Sequence, residues 1–301
     1  MDYEIRTVDV FSERPFEGNQ LAVVLDADRL SDDTMQAIAR EMNLSETVFL
    51  QRPSVAGCAA AFRIFTPATE LPFAGHPTIG AAWVLRETEA GRDARRCEIA
   101  VQEKIGVIPI RFEDDSSHSR VWLTQPPIEF GAVREDRESI VAAIGLKVDD
   151  LIPGVPIERV SAGIPFLFVA VRDRSRVDAA DPRGVATAFA AADPLPVFVF
   201  APDGDARLYS RMFAGHVVGI VEDSATGAAG GPLGAFAVGH GLVKAAHEVA
   251  LVSEQGTKMR RRGVVHIRLT YANGGTVPLR AEVGGNVVPV ITGRVAVADP
   301  A

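Results

Sequence analysis

Cysteine is scarce: the chain has two in 301 residues, Cys58 and Cys97. Their separation fits neither CxxC nor zinc-ligand spacing. So few thiols exclude a disulfide scaffold and suit a reducing cytoplasm. Positive charge is short as well. Against 39 Asp and Glu stand 31 Lys and Arg, a formal net charge of −8. That balance argues against nucleic acid or anionic membrane as main partners. The one basic run, Lys258-Met259-Arg260-Arg261-Arg262, reads as a solvated strand end. No apolar run approaches the ~18 residues that cross a bilayer. Met1-Asp2-Tyr3-Glu4 has no basic or apolar leader region, so a cytoplasmic location is expected. HExxH, GxSxG, GxGxxG, Gly-Lys-Ser/Thr loops and EF-hand loops are all missing. A metal site is not expected.

What is present is an ordinary globular composition, 47% apolar and 23% charged, enough for a real core and too apolar for a disordered chain. Short β-branched and aromatic runs predict strands near residues 4–11, 21–25, 47–51, 59–65, 98–102, 106–112 and 120–124. The second half repeats the style at 157–161, 166–171, 197–201, 207–213, 249–253, 264–271 and 288–291. Helices are few. Residues 32–42 carry Met35, Ile38, Ala39 and Met42 on one face, with Ser31 as N-cap. Residues 78–87, 135–144 and a segment after Asp223 are the other candidates. Many strands with isolated helices predict an α+β fold rather than a regular strand–helix alternation. Cys58 opens an apolar stretch and is expected in the core. One weak echo links the halves: His76-Pro77-Thr78-Ile79-Gly80-Ala81-Ala82 can be laid over Asp223-Ser224-Ala225-Thr226-Gly227-Ala228-Ala229. A duplicated unit is a fair reading of it.

Three constellations could carry chemistry. In Asn43-Leu44-Ser45-Glu46-Thr47-Val48-Phe49, Glu46 stands where a helix ends and a strand begins. Desolvation there would raise its pKa and suit a proton shuttle, with Asn43 and Ser45 as hydrogen-bonding supports; the bland alternative is a surface Glu at a strand entry. In Phe73-Ala74-Gly75-His76-Pro77-Thr78, Gly75 permits a turn or a close ligand approach and Pro77 suits a first helical turn. The early N–H groups could bind an oxyanion, and His76 could bind substrate, relay a proton or be structural. In Glu222-Asp223-Ser224-Ala225-Thr226-Gly227-Ala228, Asp223 is an N-cap or a site residue. Pro232 leaves open where the following helix starts. His216 is a further polar residue near this loop, with a surface role the simpler reading.

At these motifs the sequence resembles the PhzF family, the phenazine-biosynthesis-type isomerases with a diaminopimelate epimerase-like fold. Asp9-Val10-Phe11 with Arg14-Pro15-Phe16-Glu17-Gly18-Asn19, the motifs around Glu46 and His76, Arg211-Met212-Phe213, the Asp223 motif, and Gln255-Gly256 with Arg261 carry the resemblance. It implies two similar lobes, each a curved β-sheet or barrel around a central helix, sharing a cleft, and a homodimer. The lobes would be residues 1–117, with strand 287–301 as a candidate to complete them, and residues 118–286. It implies cofactor-independent isomerisation of a small carboxylic acid by proton transfer at carbon. Glu46, His76 and Asp223 would be catalytic; Gly75, Thr226, Gly227 and Asn19 would bind substrate. Epimerase relatives use a cysteine from each lobe, and neither cysteine here lies in these motifs. Ser224 and Ala228 depart from the proline and serine common in the family. A non-catalytic small-acid binder on the same fold is the alternative, and a scaffold with its useful surface elsewhere is a weaker third reading.

Overall fold

The computed structural model describes residues 1–88, 97–114, 119–185, 195–214 and 221–297; His216 and residues 115–117 lie outside them. The strands of the first half are β1 (Asp2–Val10), β2 (Asn19–Val24), β3 (Glu46–Gln51), β4 (Ala60–Phe65), β5 (Glu70–Leu71), β6 (Glu98–Glu103), β7 (Gly106–Asp114) and β8 (Ser119–Thr124). Those of the second are β9 (Glu129–Arg134), β10 (Ile157–Ser161), β11 (Pro165–Ala170), β12 (Val197–Pro202), β13 (Arg207–Phe213), β14 (Glu222–Asp223), β15 (Glu248–Gln255), β16 (Gly263–Tyr271) and β17 (Pro278–Ala296). The helices are α1 (Asp32–Met42), α2 (Gly75–Glu87), α3 (Arg137–Ala143), α4 (Arg174–Ala179) and α5 (Gly230–Gly239). Two compact units result: Met1–Thr124 with Gly284–Ala301, and Gln125–Val283. The first unit keeps β8, because β8 is paired with β7.

In the first unit β1–β2 is antiparallel, β2–β3 parallel, β3–β4 antiparallel, β4–β6 parallel, and β6–β7–β8 antiparallel. β17 pairs with both β8 and β1, which closes eight strands into a barrel. α2 fills it: Gly75 to Ala82, Val84 and Leu85 are buried. A helix apolar on every side belongs inside a core. α1 packs outside, with Met35, Ile38 and Ala39 against Ala22, Val24, Phe49 and Phe65. Strands such as β2 are therefore covered on both faces, which is why their sequences read as continuous apolar runs.

The second unit repeats the plan. β10–β11 is antiparallel, β11–β12 parallel, β12–β13 antiparallel, β13–β15 parallel and β15–β16 antiparallel. α5 is its buried helix, with Phe236 stacked on Phe168 at 5.7 Å and edge-on to Phe200 at 5.7 Å. The duplicated unit is real, but its register differs from the echo in the sequence. The two-residue strands correspond: Glu70–Leu71 beside Phe65–Ile64, and Glu222–Asp223 beside Phe213–Met212. Asp223 is thus matched to Leu71, not to His76.

An ion pair repeats with the strands. Arg63 donates from Nε and Nη2 to Glu70 at 2.7 Å each, and Arg211 does the same to Glu222 at 2.8 Å each. The third nitrogen reaches an outer helix in each case: Asp32 of α1 at 2.6 Å, and the Ala180 carbonyl after α4 at 2.5 Å. The Arg211 side chain is 6% exposed and that of Arg63 22%. Removing one partner strands the other charge, and the penalty grows with burial. Arg211→Met should lower unfolding free energy by about 3 kcal/mol and Arg63→Met by less. Urea denaturation of the two variants checks this; equal losses would refute it.

Several expectations are corrected. Cys58 is half-buried in the turn before β4, and Cys97 is exposed. β9 was not foreseen, and β17 extends far beyond residues 288–291. Gly284 and Gly285 hid it, since glycine is a poor strand former. They are there for close approach: a Cβ would lie 2.6 Å from Trp122 at Gly284 and 2.3 Å from Phe11 at Gly285. α2 begins at Gly75, three residues before the expected start, and α3 begins at Arg137. α5 begins at Gly230 after a 3₁₀ turn, Gly227–Ala229. Pro232 falls in its first turn, where a missing N–H is no loss. No described helix is long and apolar enough to cross a membrane.

Candidate active site

In the first unit a polar cluster sits at the start of α2. α1 ends at Asn43, which adopts φ 49° and donates its N–H to Ala39. The chain then turns through Ser45 into β3, whose first residue is Glu46. Asn43 is therefore a helix terminator, and the Ser45 hydroxyl donates to Asn19 Oδ1 at 3.4 Å. Neither takes the support role expected toward Glu46. β2 runs parallel to β3 with Leu21 opposite Glu46, which brings Asn19 close by. Asn19 lies at the end of the opening hairpin, where Asp9 accepts the Phe16 N–H at 2.6 Å.

Three predicted residues converge there. His76 Nδ1 is 3.2 Å from Asn19 Nδ2, and its Nε2 is 3.3 Å from Glu46 Oε2. The second contact lacks the alignment of a hydrogen bond. His76 is 6% exposed and the Glu46 side chain 13%. Burial pushes His76 down to about 3, opposed by a backbone hydrogen bond at Gln20. The imidazole is therefore neutral near pH 7. In the tautomer in which Nδ1 accepts from Asn19, the Nε2–H faces the Glu46 carboxylate. Gly75 is helical and buried, so no left-handed turn is needed at that position.

Glu103, at the end of β6, was missed by sequence reasoning; its signal was a carboxylate closing the apolar run at 98–102. It is 5% exposed, and burial pushes it up to about 8 against a hydrogen bond from Thr78. The two shifted groups set opposite slopes of stability with pH. His76 moves from 6.5 unfolded to about 3 folded, so its share of stability is lost as pH falls through that window. Glu103 moves from 4.5 to about 8, so its share is lost as pH rises through its own. Each slope is about 1.4 kcal/mol per pH unit. Between pH 4.5 and 6.5 the slopes cancel. From 6.5 to 8 the Glu103 loss stands alone, about 2 kcal/mol. Urea denaturation across pH, with Glu103→Gln as the reference that lacks the alkaline loss, measures it. A wild-type-minus-variant difference that stays flat above pH 6.5 would sink the assignment.

In the second unit a separate polar cluster surrounds Asp223, which is 8% exposed. Thr226 Oγ1 donates to Asp223 Oδ2 at 2.7 Å. Gln255, at the end of β15, donates to the Asp223 carbonyl at 2.8 Å and to Thr226 Oγ1 at 2.9 Å, and accepts the Thr226 N–H at 3.1 Å. Asp223 is not the N-cap of the following helix; it stands in β14, before the 3₁₀ turn. The Thr226 N–H is already used by Gln255. Gln125 fixes that turn, donating to the Ala228 carbonyl at 2.9 Å and accepting the Gly231 N–H at 2.7 Å. Its signal in the sequence was a lone amide ending the apolar β8 run. Among the described residues no cluster of three His, Cys, Asp or Glu is placed to hold a metal.

Two lobes, each a curved sheet around a buried helix, define the diaminopimelate epimerase-like class of fold. A probable proline racemase from Agrobacterium radiobacter shares that fold at TM-score 0.64 and 12% identity, over 98% of this chain and 93% of its own. The chain belongs to the phenazine biosynthesis-like protein family, whose model matches residues 8–293, and it is an isomerase. It is 33% identical over 287 residues to the trans-2,3-dihydro-3-hydroxyanthranilate isomerase of Pseudomonas aeruginosa, covering 95% of this chain and 97% of that one. A PhzF-family phenazine biosynthesis protein from Bacillus anthracis superposes at TM-score 0.88 with 26% identity, over 99% of this chain and 100% of that chain.

Proposed function

We propose that the protein isomerises a small carboxylic acid by moving one proton between carbon atoms, without a cofactor, and that Glu46 is the shuttle. The observation that carries this is a nearly buried carboxylate 3.3 Å from a neutral imidazole. The Glu46 carboxylate takes a proton from a substrate carbon as the C–H bond breaks. The pair of electrons moves into the substrate's π system, and the same carboxyl returns the proton at another carbon. A neutral His76, 3.3 Å away, adds no positive charge of its own beside the Glu46 carboxylate. Asn19 and Gly75 help seat the substrate beside it. The same reading gives Asp223, in the second unit, an acid–base role, and Thr226 and Gly227 beside it a substrate-binding role.

Ala228 offers no hydroxyl, which favours a substrate that makes one hydrogen bond fewer at this turn. The same reading makes the protein a cytoplasmic homodimer with a small carboxylate as its ligand and neither nucleic acid nor membrane as partner. The net charge of −8 supports the last point. The test uses trans-2,3-dihydro-3-hydroxyanthranilate, the compound named for the Pseudomonas aeruginosa relative. Incubated with the protein in heavy water, it should be isomerised and gain deuterium at carbon. Binding without isomerisation or exchange would indicate a binder and defeat the proposal for this substrate.

A further inference from the structure

The first turn of α2 is poorly supported by its own backbone. Ala74, its N-cap, supplies no side-chain hydrogen bond. Pro77 has no N–H, and the Thr78 N–H reaches the Ala74 carbonyl only at 3.3 Å. The turn is instead tied by the Thr78 hydroxyl, whose oxygen lies 2.6 Å from the Ala74 carbonyl and 2.5 Å from Glu103 Oε1.

A hydroxyl has one proton to give. A backbone carbonyl has none, so the Ala74 contact consumes the Thr78 proton. The 2.5 Å contact to Glu103 then needs a proton of its own, and only the Glu103 carboxyl can carry it. The other oxygen agrees: Glu103 Oε2 is buried without a hydrogen-bond partner among the described residues. A carboxylate left so would be costly, whereas a neutral acid is tolerated. Among the described residues no charge compensates an anion there. The adjacent Lys104 is committed to Glu70 at 2.5 Å, Glu70 is clamped by Arg63, and His76 faces Asn19 and Glu46. On Glu103 itself the acting influences are burial and Thr78.

We propose that Glu103 is held as a neutral carboxylic acid and serves as a positioning residue, its O–H fixing Thr78 and through it the Ala74–His76 turn. Its importance for catalysis rests on the reading of His76 as a site residue, but its proton and its grip on the turn do not. Loss of that proton replaces a donor with an acceptor facing Thr78. The hydroxyl must then choose between Glu103 and Ala74, and the turn loosens. Glu103→Gln keeps the shape and an N–H donor that cannot ionise.

The experiment follows the side-chain carboxyl carbons of the full chain, labelled with carbon-13 at glutamate, across pH 4–10, with Glu103→Gln assigning the resonance. Amide hydrogen exchange of residues 75–79, corrected for intrinsic rates and referenced to α1, is read in parallel. The resonance should titrate near pH 8. Wild-type protection at residues 75–79 should fall about tenfold between pH 6.5 and 9, the equivalent of one lost hydrogen bond, while Glu103→Gln holds its protection. Thr78→Val should show the loosened turn at every pH. A Glu103 midpoint below pH 6, parallel losses in wild type and Glu103→Gln, or unchanged protection in Thr78→Val would each overturn the proposal. None of these readouts needs substrate. Failure of the isomerase reading, seen as an active Glu46→Gln variant, is therefore a separate result.

Discussion

Glu46→Gln should lose about a thousandfold in turnover, roughly 4 kcal/mol of barrier, and nearly all deuterium incorporation at carbon. The amide fills the same space at the start of β3 and can still meet His76 at the 3.3 Å site. It cannot accept and return a proton. The His76 resonance and the urea midpoint should therefore change little while exchange disappears. This pairing separates a shuttle from a structural Glu, because a structural role would move stability together with activity. Turnover in Glu46→Gln within about tenfold of wild type would remove the shuttle, since a positioned acid–base group contributes about 100-fold or more.

Gly256→Ala should be the most damaging small change near the Asp223 cluster. Gly256 holds φ 79°, and a Cβ there would stand 2.2 Å from the Arg261 carbonyl oxygen and 2.4 Å from that of Ser224. Both obstacles are backbone, so neither can swing aside. The Gly256 carbonyl also accepts the Met259 and Arg261 N–H groups at 3.0 and 3.1 Å. Relief must shift the end of β15, and with it Gln255, which holds Asp223 and Thr226. The expected loss is about 4 kcal/mol or more, with reduced substrate turnover. Gly274→Ala is the matched control: φ 74° and nothing within 4 Å of the added carbon. It should cost only the left-handed conformation, about 1–2 kcal/mol. Equal losses in urea denaturation would show that the close approach at Gly256 does not matter.

Much of the scaffold was legible locally. α1 spans the expected residues because its signals are local: Ser31 accepts the Thr34 N–H, and Asn43 ends the helix. Most strands were visible because sheets packed on both faces leave dense β-branched runs. The motifs around Glu46, His76 and Asp223 also stood out, being polar residues set into apolar surroundings at element ends. What escaped were residues whose purpose is a partner distant in sequence. Gln255 stood in a marked motif but had no role until it met Asp223 and Thr226. Glu103 looks like a surface carboxylate until Thr78 closes over it. Gly284 and Gly285 lie before the expected strand at 288–291, and they let β17 pass Trp122 and Phe11.

The sequence by itself determined the α+β class, the family and the few positions where chemistry can reside. Two cysteines outside every motif already turned the expectation away from a thiol pair. Only the tertiary structure decided the true register of the duplication, because strand pairing sets it and the loops have diverged. It alone placed His76 against Glu46 and Asn19, and it alone made His76 neutral. Charge state depends on burial, and burial is a property of the packed barrel rather than of any local run of residues.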